Sequence, residues 1–264
     1  MVGKVQRAKE TVEERIPDLL VRNHSVSSAL HPLTYVGPLQ KWTTFEHDVK
    51  VAVQQQSWGI HTSTITIRPV GALGPHNTAN EQLLVGDENG VQGRFQQNVG
   101  HVMSAVFGSQ GLDLRFGDFK AAGSTYRRTP DVVIINSQNH IKVVGELKCP
   151  WIDEHILIEE PTTTSTTEHQ FRSQIGQLAR YMHDLQVGYG VYSTYRQHVF
   201  FKQECIAGRW VLRYSPVISD TTNSESELTV RQCFFFLGHE AGRTLRVVNS
   251  TPPGQWVVKH KRAS

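Results

Sequence analysis

Apolar residues recur along this chain in two rhythms. Between Glu88 and Phe107, Val91, Phe95, Val99, Val102 and Val106 stand at spacings of 4, 4, 3 and 4. That period keeps one face of a helix apolar and predicts an amphipathic helix. Gly93 and Gly100 lower its intrinsic propensity, so it depends on packing. A second stripe, Phe171, Ile175, Leu178, Met182 and Leu185, repeats at 4, 3, 4 and 3. Thr167 and Gln170 ahead of it have the spacing of a capping box. Between the two helices the rhythm shortens. "LDLRFGDF" (Leu112 to Phe119) alternates as a strand does. Val132 to Ile135 and Ile141 to Leu147 are apolar runs separated only by the polar "NSQNH", which predicts an antiparallel hairpin. "YGVYSTY", "HVFFKQ" and "RWVLRYSPVI" follow as three further strands. Ser224 and Glu227 are placed to cap a last helix containing "LTVRQCFFFLG", whose phenylalanines read as core.

The order is helix, three strands, helix, two strands, with additions at both ends. It predicts an α/β (α+β) protein whose central mixed β-sheet is flanked by helices, with N- and C-terminal elaborations. Residues 1–80 read as an accessory segment without evident chemistry. In it "ETVEERIPDLLVRN" is a short helix broken at Pro17, and "DVKVAVQQQ" and "HTSTITIRPV" have strand character. Residues 81–215 form the core. Residues 216–264 supply the last helix and a basic tail, packed on the core or trailing it.

Composition narrows the class. The 264 residues are 38% hydrophobic and 19% charged, an ordinary globular balance, and 264 is long enough for one large domain or two small ones. The net charge of +3 permits an anionic partner. Cys149, Cys205 and Cys233 show neither a disulfide framework nor zinc-ligand spacing. The charged start lacks the apolar stretch of a secretory signal, and no apolar run approaches the ~20 residues of a membrane span. An intracellular protein of nucleus or cytoplasm, without a membrane partner, is expected. The tail "KHKR" (Lys259 to Arg262) reads as a solvated basic terminus in preference to a nuclear address.

Chemistry concentrates at the hairpin. Asp131 follows Pro130 at the entrance of the first strand, and Glu146 and Lys148 close the second. Residues two apart on a strand share a face, so Glu146 and Lys148 point together while Leu147 points away. Counted from the turn, Asp131 lies as far back as Glu146 lies forward. Two carboxylates and an ammonium therefore converge. Carboxylate oxygens suit Mg²⁺ or Mn²⁺, and a lysine suits water positioning or charge stabilisation. The competing explanation for the trio is a salt-bridged sheet edge. Cys149 reads as a strand cysteine rather than a nucleophile, His155 and His169 as isolated loop histidines, and Trp151 as packing beneath the site.

"PD" followed by "ELK", carried by Pro130, Asp131, Glu146 and Lys148, resembles the PD-(D/E)XK nuclease superfamily. Gln177 and Tyr181 in "QLARY" are similar to the Q-x-x-x-Y motif of its RecB and lambda-exonuclease branch. "VGELKCPW" and "IGQLARYM" also resemble a group of fungal proteins carrying this nuclease-like domain. The resemblance covers roughly Glu88 to Gln203, a little under half the chain.

It implies a restriction-endonuclease-like core and a metal-dependent nuclease, with DNA favoured over RNA as substrate. Asp131, Glu146 and the backbone carbonyl of Leu147 would hold Mg²⁺ or Mn²⁺. Glu88 from the preceding helix would add an acid, with Glu81 and Asp87 behind it. Lys148 would position the attacking water, and Gln177 and Tyr181 would face the same cleft. Arg127, Arg128, Arg172 and Arg180 flank that cleft in sequence and are the candidate nucleic-acid contacts, against a solvated face as the plainer explanation. The alternatives are an inactive nuclease-fold protein that binds nucleic acid or acts as a scaffold, and an RNase.

Overall fold

The computed structural model describes residues 5–26, 31–59, 65–66, 83–157, 165–222, 227–244 and 246–260. The chain opens with β1 (Val5–Gln6), α1 (Ala8–Glu13), β2 (Leu33–Tyr35), β3 (Leu39–Lys41), α2 (Phe45–Gln55) and β4 (Ile65–Thr66). The middle holds α3 (Glu88–Phe95), a π-helical turn (Gln96–Gly100), α4 (His101–Ser109), β5 (Arg115–Gly117), β6 (Val132–Ile135) and β7 (Ile141–Leu147). Next come α5 (Ser165–Gln174), α6 (Gly176–Asp184), β8 (Tyr189–Ser193), β9 (Gln197–Ile206), β10 (Arg209–Tyr214) and β11 (Ile218–Ser219). The chain closes with α7 (Val230–Arg243), α8 (Pro253–Trp256) and β12 (Val257–Lys259).

The architecture is mixed α/β. A central sheet runs in the order β3-β10-β9-β8-β7-β6-β5, with β11 added against β9. Pairs β7–β8 and β10–β3 are parallel, and the other pairs are antiparallel. The parallel pair β7–β8 needs a crossover, which α5 and α6 supply. The β6–β7 hairpin is fixed by its turn. Asn139 takes a left-handed φ of 60°, and Asn136 Oδ1 accepts from the backbone N–H groups of Gln138 and His140. Asparagine tolerates that conformation better than bulkier residues do.

Alternation along the strands sends side chains into two cores, one on each sheet face. Val132, Ile134, Val143, Leu147 and Val191 belong to the core that contains residues of α1, α2, α3, α4 and α7. Val133, Val144, Tyr192, Val199 and Phe201 belong to the core shared with α5, α6 and Trp256. Phe234, Phe235 and Phe236 of α7 are all buried, as their pattern predicts. Thr229 caps that helix in a capping box with Gln232, in place of the expected Ser224–Glu227 pair. Ser224 lies outside the described residues.

Other expectations shift. "DVKVAVQQQ" is not a strand but most of α2, because Phe45, Val49 and Val53 recur at helical spacing and are the residues buried. The alternating Val49, Val51 and Val53 satisfy a strand pattern equally well, and only packing separates the two. The helix read through Val106 contains the π turn, which inserts a residue and rotates the stripe. Met103 is therefore buried where Val102 was expected, and Val102 is only partly covered. The second stripe breaks into α5 and α6 at Ile175, and Thr167 lies inside α5 instead of capping it. β5 is confined to Arg115–Gly117 within the longer run predicted as a strand. Of "HTSTITIRPV" only Ile65 and Thr66 are described.

Both chain ends enter this architecture. From the N-terminal segment, β3 becomes an edge strand of the main sheet and α1 and α2 pack against α7. β2 pairs antiparallel with β12 in a separate two-stranded ladder that lies against α6. Among the described residues no helix is long and apolar enough to cross a membrane.

Candidate active site

The register of β6 and β7 sets Val132 opposite Gly145, so Asp131 stands across from Glu146. The Asp131 N–H donates to the Gly145 carbonyl at 3.1 Å, and Asp131 Oδ2 accepts from the Leu147 N–H at 2.8 Å. Gln92 of α3 donates from Nε2 to the Asp131 carbonyl at 2.7 Å, tying the strand entrance to the helix. Pro130 has no N–H to lose, so the ladder can begin at Asp131 without an orphaned donor.

Glu146 and Lys148 share the sheet face that carries α5 and α6. Their oppositely charged ends meet at 2.6 Å, and both side chains are almost wholly buried. Lys148 Nζ also reaches Glu88 Oε1 at 3.3 Å and Oε2 at 3.4 Å. Glu88 is the first residue of α3, behind the capping Asp87, whose Oδ1 accepts from the Gly90 N–H. Asp87 is thus a helix cap here, and Glu81 lies outside the described residues. Gln177 and Tyr181 come from α6. Gln177 Nε2 donates to Tyr181 Oη at 2.5 Å, and the Tyr181 hydroxyl lies 3.3 Å from the Thr129 carbonyl.

Asp131, Glu146, Lys148, Gln177, Tyr181 and Glu88 line a single cavity of about 1110 Å³. The charge there is uneven, with three carboxylates facing one buried ammonium. Burial pushes the Asp131 carboxyl up to about 6. The Leu147 N–H and Lys148 oppose that shift, and Glu88 adds to it. Burial, then the charge of Asp131, raises Glu146 despite the adjacent Lys148. Burial works against the Lys148 charge, but Glu146 and then Glu88 outweigh it and hold the ammonium above its ordinary value. Burial, then Glu146, raises the Tyr181 phenol, which stays neutral and can donate a hydrogen bond.

The donor set suits a hard divalent cation. Glu146 Oε2 and Gln177 Oε1 are buried oxygens with no hydrogen-bond partner. A buried acceptor without a donor is costly, and a cation would satisfy it. Among the described residues, no group of three His, Cys, Asp or Glu side chains is already set to hold a metal ion. Lys148 Nζ pairs with both Glu146, at 2.6 Å, and Glu88, at 3.3 Å.

The arginines divide. Arg128 is exposed and lines the cavity, whereas Arg127 is exposed outside it. Arg172 pairs with Glu168 at 2.8 Å and donates to the Tyr35 and Gly37 carbonyls. Arg180 pairs with Asp184 at 2.8 Å. Neither of those two lines the cavity. Trp151 is partly buried against the core that contains Val132 and Leu147. It stacks on His24 with ring centroids 5.2 Å apart and donates from Nε1 to the Ser25 carbonyl. Cys149 is buried, and its thiol is pushed up to about 11 by burial, then by Glu88, which removes it as a nucleophile. His155 is buried against the Cys149 carbonyl, and His169 is exposed.

Six lining residues escaped the sequence reading: His31, Pro32, Leu33, Thr129, Lys259 and His260. The one signal they left was the basic run beginning at Lys259, which does not show that the run returns to this cavity. A comparison of the chain with protein-family models, curated proteins and solved structures finds no match.

Proposed function

We propose that this chain is a metal-dependent nuclease with a restriction-endonuclease-like core of the PD-(D/E)XK type, hydrolysing phosphodiester bonds, in DNA before RNA. One observation carries the reading: Asp131, Glu146 and Lys148 share a cavity with Glu88, Gln177 and Tyr181, which come from two different helices. A salt-bridged sheet edge would explain the trio but not the convergence of the helical residues. An intracellular setting, nucleus or cytoplasm, accompanies this reading.

Asp131, Glu146, Glu88 and the Leu147 carbonyl would hold Mg²⁺ or Mn²⁺, whose charge would polarise the phosphate and stabilise the leaving oxygen. Lys148, kept charged by its carboxylate neighbours, orients the attacking water and offsets negative charge on the phosphate. The neutral Tyr181 hydroxyl accepts from Gln177 and donates its one hydrogen to the Thr129 carbonyl, so the pair holds the Thr129 backbone at the cavity wall. Asp131 fixes the strand end through the Leu147 N–H, which keeps the two carboxylates in register.

The test is incubation of the purified chain with single- and double-stranded DNA and with RNA, with Mg²⁺, with Mn²⁺ and with EDTA. Metal-dependent cleavage that Glu146→Gln abolishes is expected. Absence of cleavage on every substrate would overturn the reading. A second reading, nucleic-acid binding without turnover, is favoured by the ammonium that stands between Glu146 and Glu88. Binding of the same substrates without cutting would select it.

A further inference from the structure

The cavity has a wall that neither the hairpin nor α6 provides. β2 and β12 pair with Leu33 opposite Lys259, and the ladder continues where the His260 N–H donates to the Pro32 carbonyl at 2.9 Å. Cross-strand partners share a face, so Lys259 stands beside Leu33, and both line the cavity with His31 and His260.

This ladder is fitted to the molecule. At Gly176, an added Cβ would lie 2.2 Å from the Leu33 carbonyl oxygen, so glycine lets the α6 backbone meet β2 directly. Thr34 and Ser173 hydroxyls hydrogen-bond at 3.1 Å. Trp256, fully buried, donates from Nε1 to the Ala179 carbonyl at 3.0 Å. Arg172 ties its guanidinium to the Tyr35 and Gly37 carbonyls and lies 5.5 Å over the Tyr35 ring. The β2–β12 ladder is thus clamped onto α5 and α6, and exposed Lys259 and His260 are held at the cavity.

We infer that Lys259 and His260, with Arg128, form a phosphate-binding strip that holds the nucleic-acid backbone beside the scissile bond. The inference rests on the proposed nuclease reading and names the residues that grip its substrate. The centre of the cavity is rich in carboxylates and repels a polyanion. Flanking phosphates need donors away from that centre, and the exposed lining cations are Arg128 and Lys259. The ligand chemistry is the phosphodiester backbone common to DNA and RNA, which the strip contacts without reading bases.

The experiment is fluorescence anisotropy with labelled single-stranded DNA and RNA oligonucleotides in Mg²⁺, at several salt concentrations. The full chain carries Glu146→Gln throughout, so that no strand is cut. Adding Lys259→Ala should weaken binding several-fold and reduce the slope of log Kd against log salt by about 1. Lys259→Ala with His260→Ala should weaken it further, and Lys259→Arg should restore the slope. Lys50→Ala, on the exposed surface of α2, should change neither quantity. Unchanged affinity and slope in the double variant would overturn the strip while leaving the nuclease reading intact. An equal loss with Lys50→Ala would overturn it as well, since diffuse charge would then explain binding. A parent chain that binds neither DNA nor RNA would overturn the nuclease reading and the strip with it.

Discussion

Replacing Asp131 by asparagine should make the metal-free protein more stable at alkaline pH. The Asp131 carboxyl has an ordinary value of 3.8 and is raised to about 6 in the fold, chiefly by burial. A raised carboxyl favours the folded state while it is protonated. That contribution is complete below about pH 4 and is lost as pH rises through about 6. Above that window the folded chain carries a poorly solvated charge worth roughly 3 kcal/mol at 1.36 kcal/mol per tenfold. Because Asp131 is only partly buried by surface exposure, about half of that is a safer expectation. Asparagine keeps an oxygen for the Leu147 N–H, removes the charge and relieves Glu146, which Asp131 also raises. The expected gain is ~1–3 kcal/mol at about pH 8, or a rise of several degrees in Tm for a chain of this size. At about pH 4 the gain should vanish. Mg²⁺ should stabilise the wild type at alkaline pH by about 2.7 kcal/mol at a hundredfold excess over Kd, raising its Tm, and should do little for the variant. Calorimetry at the two pH values, with and without Mg²⁺, reads all of this. A variant less stable than wild type at alkaline pH, or a gain independent of pH, would refute the account of the carboxylates.

Lys148→Ala leaves Glu146 buried without its 2.6 Å partner and should cost about 3–5 kcal/mol at alkaline pH, less in acid where Glu146 takes up a proton. Urea denaturation at both pH values checks this, and a pH-independent loss would count against it. Gly176→Ala places a methyl against the Leu33 backbone and should cost about 1–3 kcal/mol, with faster amide exchange at residues 33–35 and 257–259. An unchanged Tm would show that β2 is not seated as described.

Where local periodicity decides, the sequence sufficed. The β6–β7 hairpin, with its polar turn and its acids at the strand ends, was legible because alternation and turn chemistry act over a few residues. Gln177 and Tyr181 were legible as a pair because four residues make one turn of a helix. Glu88 was put ahead of Glu81 and Asp87 by the family resemblance alone, whereas the cap at Asp87 and the reach of Lys148 to Glu88 are visible only in the structure. α2 was misread because Val49, Val51 and Val53 fit both periods, and the neighbours that bury Phe45, Val49 and Val53 lie elsewhere in the chain.

The sequence by itself determined which groups could do chemistry: two carboxylates and a lysine on adjoining strands, and an amide and a phenol on one helix face. Tertiary structure alone decided how those groups stand to one another. It buried Glu146 with Lys148, set the Arg172 guanidinium against the Tyr35 and Gly37 carbonyls, and moved Met103 inward through a π turn. It also brought Leu33 and Lys259 side by side at the cavity from opposite ends of the chain. The physical reason is range. Propensity and periodicity act through neighbouring residues, whereas burial, desolvation and cross-strand pairing depend on partners that sequence separation does not reveal.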